Sequence, residues 1–175
     1  MLVPVKWMKN YIDIKKTTRE ISDRVTDSGS HVESISKLDE GIDNLIVGEI
    51  KEIKSHPTRS KLSILDIDLG DEVISLITGA KNMKLGDKVV VAVEGSLLPG
   101  GITIGVADFD GITSPGMLCS YDELGVDSDL VSKEEKDGII ILDSSIPNGS
   151  KATEVLDLDD EIIEFEITPN RPDCL

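Results

Sequence analysis

Apolar and polar residues alternate through the middle of the chain, and this alternation predicts β-strands. The segments 45–53 and 62–69 both alternate, and a His-Pro pair separates them. Apolar runs follow at 73–77 and 88–93, each bounded by turns that contain glycine. Five or so short strands within about a hundred residues predict a small Greek-key barrel. The pattern fits an OB barrel and an SH3-like barrel equally well.

The two ends of the chain follow a different pattern. Ile21 and Val25 share one helix face, and Thr17 or Thr18 is a suitable N-cap, which together predict a helix over 19–27. The remaining patterns predict, in chain order, a strand at 31–36, a polar helix at 130–136, a strand at 138–142, a short helix at 151–156 and a strand at 161–168. The first and last of these strands lack partners, so we expect them to pair with each other.

This pairing predicts a β-rich α+β fold in which the barrel is inserted into a smaller domain. Residues 1–38 and 149–168 are expected to form the discontinuous α/β domain, and residues 39–148 the inserted barrel. The N-terminal segment is too short to bury a core by itself, so it needs the second segment to complete one.

Composition limits both the core and the binding surface. Hydrophobic residues make up 39 % of the chain but aromatic residues only 3 %, so the core must consist of Ile, Val and Leu. The net charge is −16, and the stretch from Tyr121 onward, with 16 acidic and 4 basic residues, carries −12 of it. We therefore expect any surface that binds a polyanion to lie in the first 120 residues, and the acidic excess to be a solvated surface.

The sequence lacks the motifs of common enzyme and metal sites. It contains no GxGxxG, P-loop or GxSxG motif, and its only histidines, His31 and His56, are not at metal-binding spacing. Cys119 and Cys174 are isolated, which predicts neither a zinc site nor a disulfide framework. No apolar segment has the length of a signal-peptide core or a membrane span. We expect a soluble, cytoplasmic chain without catalytic, cofactor-binding or metal-binding residues.

Basic residues collect at one predicted strand-turn-strand junction and again after the following turn. The candidates for phosphate contact are Lys51, Lys54, His56, Arg59, Lys61, Lys81, Lys84 and Lys88. An OB barrel binds oligonucleotides on one strand face and its loops, so we expect a single exposed face to hold Lys51, Lys54, Arg59 and Lys61. Phe109 is the only aromatic residue between positions 44 and 111, which favours contact with RNA shape or backbone over base stacking. A charged turn that stays in water explains the same residues equally well.

Three blocks carry a more specific signal: HPTRSKL at 56–62, TGAKNM at 78–83 and GITSPGMLCSYDELG at 111–125. In this order and spacing they resemble the tRNA-binding OB-fold module of the bacterial phenylalanyl-tRNA synthetase β subunit. The start of the chain, MLVPVKWMKNYIDI, and its end, ITPNRPDCL, are similar to the same family. Asn82 and Ser120 lie in the second and third blocks and join the candidate tRNA-binding residues. Arg59 and Ser60 depart from the small and acidic residues usual in the first block.

The resemblance implies a non-catalytic N-terminal region of an α2β2 enzyme that attaches phenylalanine to tRNA with ATP and Mg²⁺. Its catalytic centre is expected in the α subunit, and residues 169–175 are expected to begin a linker to further domains. The implied roles of this region are tRNA binding and packing within the enzyme. Two alternatives stay open: an assembly module with little RNA contact, and a stand-alone tRNA-binding OB protein.

Overall fold

The computed structural model describes residues 1–126 and 138–167, so the helix expected at 130–136 and the stretch 169–175 lie outside the described residues. The helices are α1 (Val5–Lys9), α2 (Thr18–Asp27) and α3 (Ala152–Val155). In chain order, the strands are β1 (Leu2–Pro4), β2 (Val32–Lys37), β3 (Asp43–Ser55), β4 (Ser63–Asp68), β5 (Val73–Thr78), β6 (Lys88–Leu98), β7 (Ile102–Thr103), β8 (Ala107–Phe109), β9 (Ile112–Ser114), β10 (Gly116–Leu118), β11 (Ile141–Leu142) and β12 (Glu161–Phe165).

Two units emerge from the contacts along the chain, Met1–Glu40 with the segment from Leu156 onward, and Gly41–Val155. In the first unit, β12 is the central strand of an antiparallel sheet with the order β1-β12-β2. Ile163 pairs with both Val3 and Ile35 and is fully buried. The expected pairing between the strands near 31–36 and 161–168 is confirmed. The sequence pattern did not predict that β1 joins this sheet as its third strand.

Helix α2 begins with the capping box that its sequence allows. The Thr17 hydroxyl accepts a hydrogen bond from the Glu20 backbone N–H, and the Glu20 carboxylate accepts one from the Thr17 N–H at 3.0 Å. Bonding to the Thr17 N–H and to Lys16 lowers the pKa of Glu20 to about 2. The reciprocal cap satisfies two backbone donors and sets where the helix starts.

Five strands of the second unit form a barrel in the order β10-β6-β3-β4-β5, and β7 and β11 also pair with β6. The outer strands β5 and β10 are joined through Ser114, whose hydroxyl accepts from the Ile77 N–H at 3.1 Å and donates to the Gly116 carbonyl at 2.8 Å. This order and closure are those of an OB barrel, so the structure decides between the two barrel types that the alternation allowed.

The barrel core consists of aliphatic side chains, as the composition predicted. Among the described residues, its central cluster contains Ile50, Leu65, Ile67, Leu69, Leu76, Val89, Val91, Leu118 and Ile139. Residues 149 and 150 also bond to the barrel strand β3. The Gly149 N–H donates to the Val47 carbonyl and the Val47 N–H donates to the Ser150 carbonyl, both at 2.9 Å. None of the described helices is long and apolar enough to cross a membrane.

Independent folding of the barrel unit is our first prediction. We propose that Gly41–Val155 is an inserted domain, because its core cluster and closure contacts come from within that range. Expressed alone, this segment should show dispersed amide resonances and a cooperative thermal transition. A collapsed chain without a cooperative transition would contradict the insertion.

Closure of the barrel also predicts the effect of a small substitution. A Cβ atom at Gly116 would lie 2.4 Å from the Ala92 carbonyl oxygen, which is backbone and has no alternative rotamer. We expect Gly116→Ala to destabilise the protein by about 2 kcal/mol or more in urea unfolding. The matched control is Gly105→Ala, which meets no atom within 4 Å and should change stability by less than about 0.5 kcal/mol. Equal stabilities of the two variants would show that β10 does not pack as described.

Candidate nucleic-acid interface

The β3–β4 loop and the turn between β8 and β9 are joined at one end of the barrel by an ion pair. Arg59 donates from Nε and Nη2 to the two carboxylate oxygens of Asp110, each at 2.8 Å. The Thr58 hydroxyl donates to the same carboxylate at 2.9 Å. Hydrogen bonds from Arg59 and then from Thr58 lower the pKa of Asp110 to about 2, and the bond to Asp110 raises the pKa of Arg59. Both side chains are therefore charged at neutral pH.

The buried His56 side chain forms hydrogen bonds with the backbone of the same loop. Its Nδ1 accepts hydrogen bonds from the backbone N–H groups of Thr58 at 3.3 Å and Arg59 at 3.2 Å. Its Nε2 lies 3.2 Å from the Phe109 carbonyl, which only accepts, so Nε2 carries the proton. The residue is 4 % exposed, so the expectation that His56 contacts tRNA is corrected: its ring shapes the loop.

The lysines expected on a basic face along β3 both have carboxylate partners. Lys51 pairs with Glu49 at 2.7 Å and Asp68 at 3.6 Å. Lys54 pairs with Glu52 at 2.8 Å and with Asp66 of β4 at 3.2 Å. The pKa of each lysine is raised, chiefly by its hydrogen bond to Glu49 or Glu52 respectively.

Three of the four cations expected on that face, Lys51, Lys54 and Arg59, thus already have carboxylate partners. Glu49 and Glu52 lie on β3 itself, two residues before each lysine. The alternation left the other partners open, because Asp66 and Asp68 come from β4 and Asp110 from the β8–β9 turn.

Three further candidates form hydrogen bonds or ion pairs within the barrel unit. Lys88 is 8 % exposed, pairs with Glu49 at 3.0 Å and bonds the Asn148 side chain. The Asn82 amide forms two hydrogen bonds with the Ile139 backbone: it donates to the carbonyl at 2.9 Å and accepts from the N–H at 3.1 Å. Ser120 exchanges hydrogen bonds with Glu123, which organises the turn after β10.

The remaining candidates, Lys61, Lys81 and Lys84, are exposed and form no ion pair within the part of the chain that the structure describes. Lys81 reaches the Ser63 hydroxyl at 3.5 Å, so it lies beside the start of β4 and next to the loop that carries Lys61. Both positions are at the barrel end where β3 and β5 finish and β4 begins. Arg59 is at the same end, and its side chain is 46 % exposed despite its partner.

A groove of about 480 Å³ brings the second and third sequence blocks together. Thr78, Gly79 and Ala80 form one wall, and Met117, Leu118 and Ser120 form another. The Arg59–Asp110 pair joins the first block to the residue that immediately precedes the third. The short-range signals of the sequence did not single out Asp110 or Thr58, because their roles depend on an ion pair that spans 51 residues.

Within residues 1–126 and 138–167, no group of three or more His, Cys, Asp or Glu side chains is arranged to hold a metal ion. Burial and the nearby Glu123 raise the pKa of the Cys119 thiol to about 12. This thiol is fully buried, which makes it a small apolar core side chain and not a nucleophile.

Comparison with curated proteins finds close relatives over the whole chain. The chain is 46 % identical over 176 residues to the phenylalanine–tRNA ligase β subunit of Clostridium acetobutylicum. The corresponding subunits of Moorella thermoacetica and Bacillus cereus are 45 % and 44 % identical over 175 and 177 residues. In each case all of this chain is covered but only 22 % of the relative, so the chain spans about a fifth of the length of these subunits.

A family profile described as "Putative tRNA binding domain" matches residues 45–151, from the third residue of β3 to the residue before α3. The matched range contains the joined loops, the exposed lysines and the groove, and it is more than half of the chain. The chain therefore belongs to this tRNA binding domain family.

Proposed function

We propose that this chain is the non-catalytic N-terminal region of a phenylalanine–tRNA ligase β subunit and that its barrel contacts the tRNA backbone. The observation that carries the proposal is the joining of two barrel loops by the Arg59–Asp110 pair, next to exposed lysines that have no carboxylate partner among the described residues. In OB barrels these loops and the adjoining strand face are where oligonucleotides bind.

Phosphate contact is favoured over base reading at this barrel end. Lys61 and Lys81 offer point charges to phosphate oxygens, and Arg59 offers a planar donor fork. The Arg59 guanidinium lies 5.8 Å from the centre of the Phe109 ring, so this aromatic face is already covered. Contacts of this kind position an RNA without reading its sequence.

The charge balance predicts weak binding that depends on salt. Two of the lysines on β3 are neutralised by carboxylates, and the chain as a whole carries −16. Few cations are therefore free to replace counterions on an RNA, and the long-range field opposes its approach. We infer that the barrel adds to tRNA affinity supplied mainly by other parts of the ligase.

The similarity to phenylalanine–tRNA ligase β subunits supports a wider assignment. The proposal places the chain in the cytoplasm, within an α2β2 enzyme that charges tRNA with phenylalanine. ATP and Mg²⁺ would act in the α subunit, and this region would also pack against the rest of the enzyme.

The neutralised face of β3 and β4 favours a second candidate, an assembly module with little RNA contact. The binding experiments below decide between the two.

Lysine substitutions matched in number and type test the proposed interface. We expect Lys61→Gln/Lys81→Gln to weaken binding of a tRNA transcript roughly ten-fold and to reduce the salt slope by about 2, because two phosphate contacts are lost. The control is Lys51→Gln/Lys54→Gln, which removes the same charge from lysines that already have carboxylate partners. It should change the affinity by less than about three-fold. Fluorescence anisotropy at two salt concentrations measures both. Equal losses would indicate a general charge effect, and no binding by the unmodified chain would favour the assembly module.

The Asp110 carboxylate competes with phosphate for Arg59, which generates a separate prediction. Asp110→Asn removes one negative charge from the interface and releases the guanidinium from a bidentate partner. We expect the variant to bind tRNA about three-fold or more tightly at low salt, since a charge-assisted hydrogen bond becomes available to phosphate. Weaker binding, with the fold intact by circular dichroism, would mean that the pair positions the loops for RNA and does not compete with it.

A further inference from the structure

A second concentration of unpaired positive charge lies in the unit formed by Met1–Glu40 and the segment from Leu156. A groove of about 730 Å³ opens between α1, the start of α2 and the end of β2. Seven Lys and Arg residues occur in the described part of this unit, and five of them line the groove: Lys6, Lys9, Lys16, Arg19 and Lys37. The fold collects them from separate segments of a chain whose net charge is −16.

Most acidic side chains of the groove accept hydrogen bonds or form ion pairs within the same unit. Asp160 is nearly buried and accepts from the backbone N–H groups of Lys6 at 3.0 Å and Glu161 at 2.8 Å. Asp159 pairs with the Lys6 ammonium, and Glu161 accepts from the Thr18 hydroxyl. These carboxylates hold the sheet and helices together. Asp39 is the other acidic residue in the lining.

Three of the five cations have no carboxylate partner among the described residues. Lys6 pairs with Asp157 at 3.1 Å as well as with Asp159, and Lys16 pairs with Glu20 at 3.1 Å. Lys9, Arg19 and Lys37 are exposed and form no ion pair among the described residues. Like charges that face one concavity repel one another until a multivalent anion binds between them.

The chemistry of these side chains indicates the ligand. Two ammonium groups and one guanidinium suit phosphate oxygens, the guanidinium through paired donors and the ammonium groups as point charges. The N-terminus of α2 is not the basis of this site, because the Glu20 carboxylate already occupies it. The exposed cations along an open groove suit a chain of phosphates better than a single enclosed anion.

We infer that this groove binds phosphate groups of an RNA backbone through Lys9, Arg19 and Lys37. The inference rests on the proposed function that the chain contacts tRNA, and it adds a contact site outside the OB barrel. It assigns a binding role to the discontinuous unit, which the family match to residues 45–151 does not include.

A matched pair of double variants tests the inference in the full chain. Lys9→Gln/Arg19→Gln removes two cations from the groove. Lys15→Gln/Arg24→Gln removes the two cations of the same unit that do not line it. We expect the groove variant to weaken binding of a tRNA transcript about five-fold or more and to lower the salt slope by about 2, and the control to stay within about two-fold. Thermal unfolding of both variants confirms that they are folded.

The outcomes separate this inference from the proposed function. If Lys61→Gln/Lys81→Gln weakens binding and the groove variant matches its control, the barrel proposal stands and the groove inference is overturned. If only the groove variant weakens binding, the inference stands and the barrel site is wrong.

A second arm titrates the chain with inorganic pyrophosphate and follows backbone amide resonances. Shifts at Lys9, Arg19 and Lys37 without tRNA binding would identify a site for free phosphate compounds and overturn the RNA assignment. Absence of both tRNA binding and shifts would overturn the site altogether.

Discussion

Closure of the barrel depends on a three-residue strand that lies directly against the backbone of β6. Gly116 permits this because its α-carbon faces the Ala92 carbonyl, where a side chain has no room. Two residues earlier, the Ser114 hydroxyl links β5 to β10 and so joins the edges of the sheet. The segment before this link carries the β8–β9 turn. Its position against the β3–β4 loop, and with it the Arg59–Asp110 pair, follows from closure.

Ion pairing decides which basic residues remain available to a ligand. The chain has 34 acidic and 18 basic residues, and the two lysines of β3 meet carboxylates on β3 and β4. On β3 and β4 this pairing favours the sheet and removes Lys51 and Lys54 from any strongly positive surface. Unpaired cations persist in loops, at Lys61 and Lys81, and around the groove of the discontinuous unit. Binding of RNA by an acidic protein is physically reasonable only at such places, and it has to be sensitive to salt.

The roles of individual polar residues followed from tertiary contacts more than from residue type. A histidine beside a basic loop suggested a ligand contact, but the imidazole of His56 is used to satisfy loop backbone groups. Asn82 lies in a block of basic residues, yet its amide acts as a backbone substitute for Ile139. Both side chains satisfy partly buried backbone groups that would otherwise lack a hydrogen-bond partner.

The local sequence pattern was sufficient to predict features that depend on residues close together in the chain. Period-two alternation predicted β3 and β4, an apolar run predicted β5, the low aromatic content predicted an aliphatic core, and Thr17 or Thr18 as N-cap predicted the start of α2. The three sequence blocks also identified the family before any geometry was known. The tertiary structure alone decided the OB strand order, the burial of His56 and the pairing of Arg59 with Asp110. The physical reason is that each of these depends on which distant strands and loops closure brings within hydrogen-bonding distance, and a one-dimensional pattern carries no record of that distance.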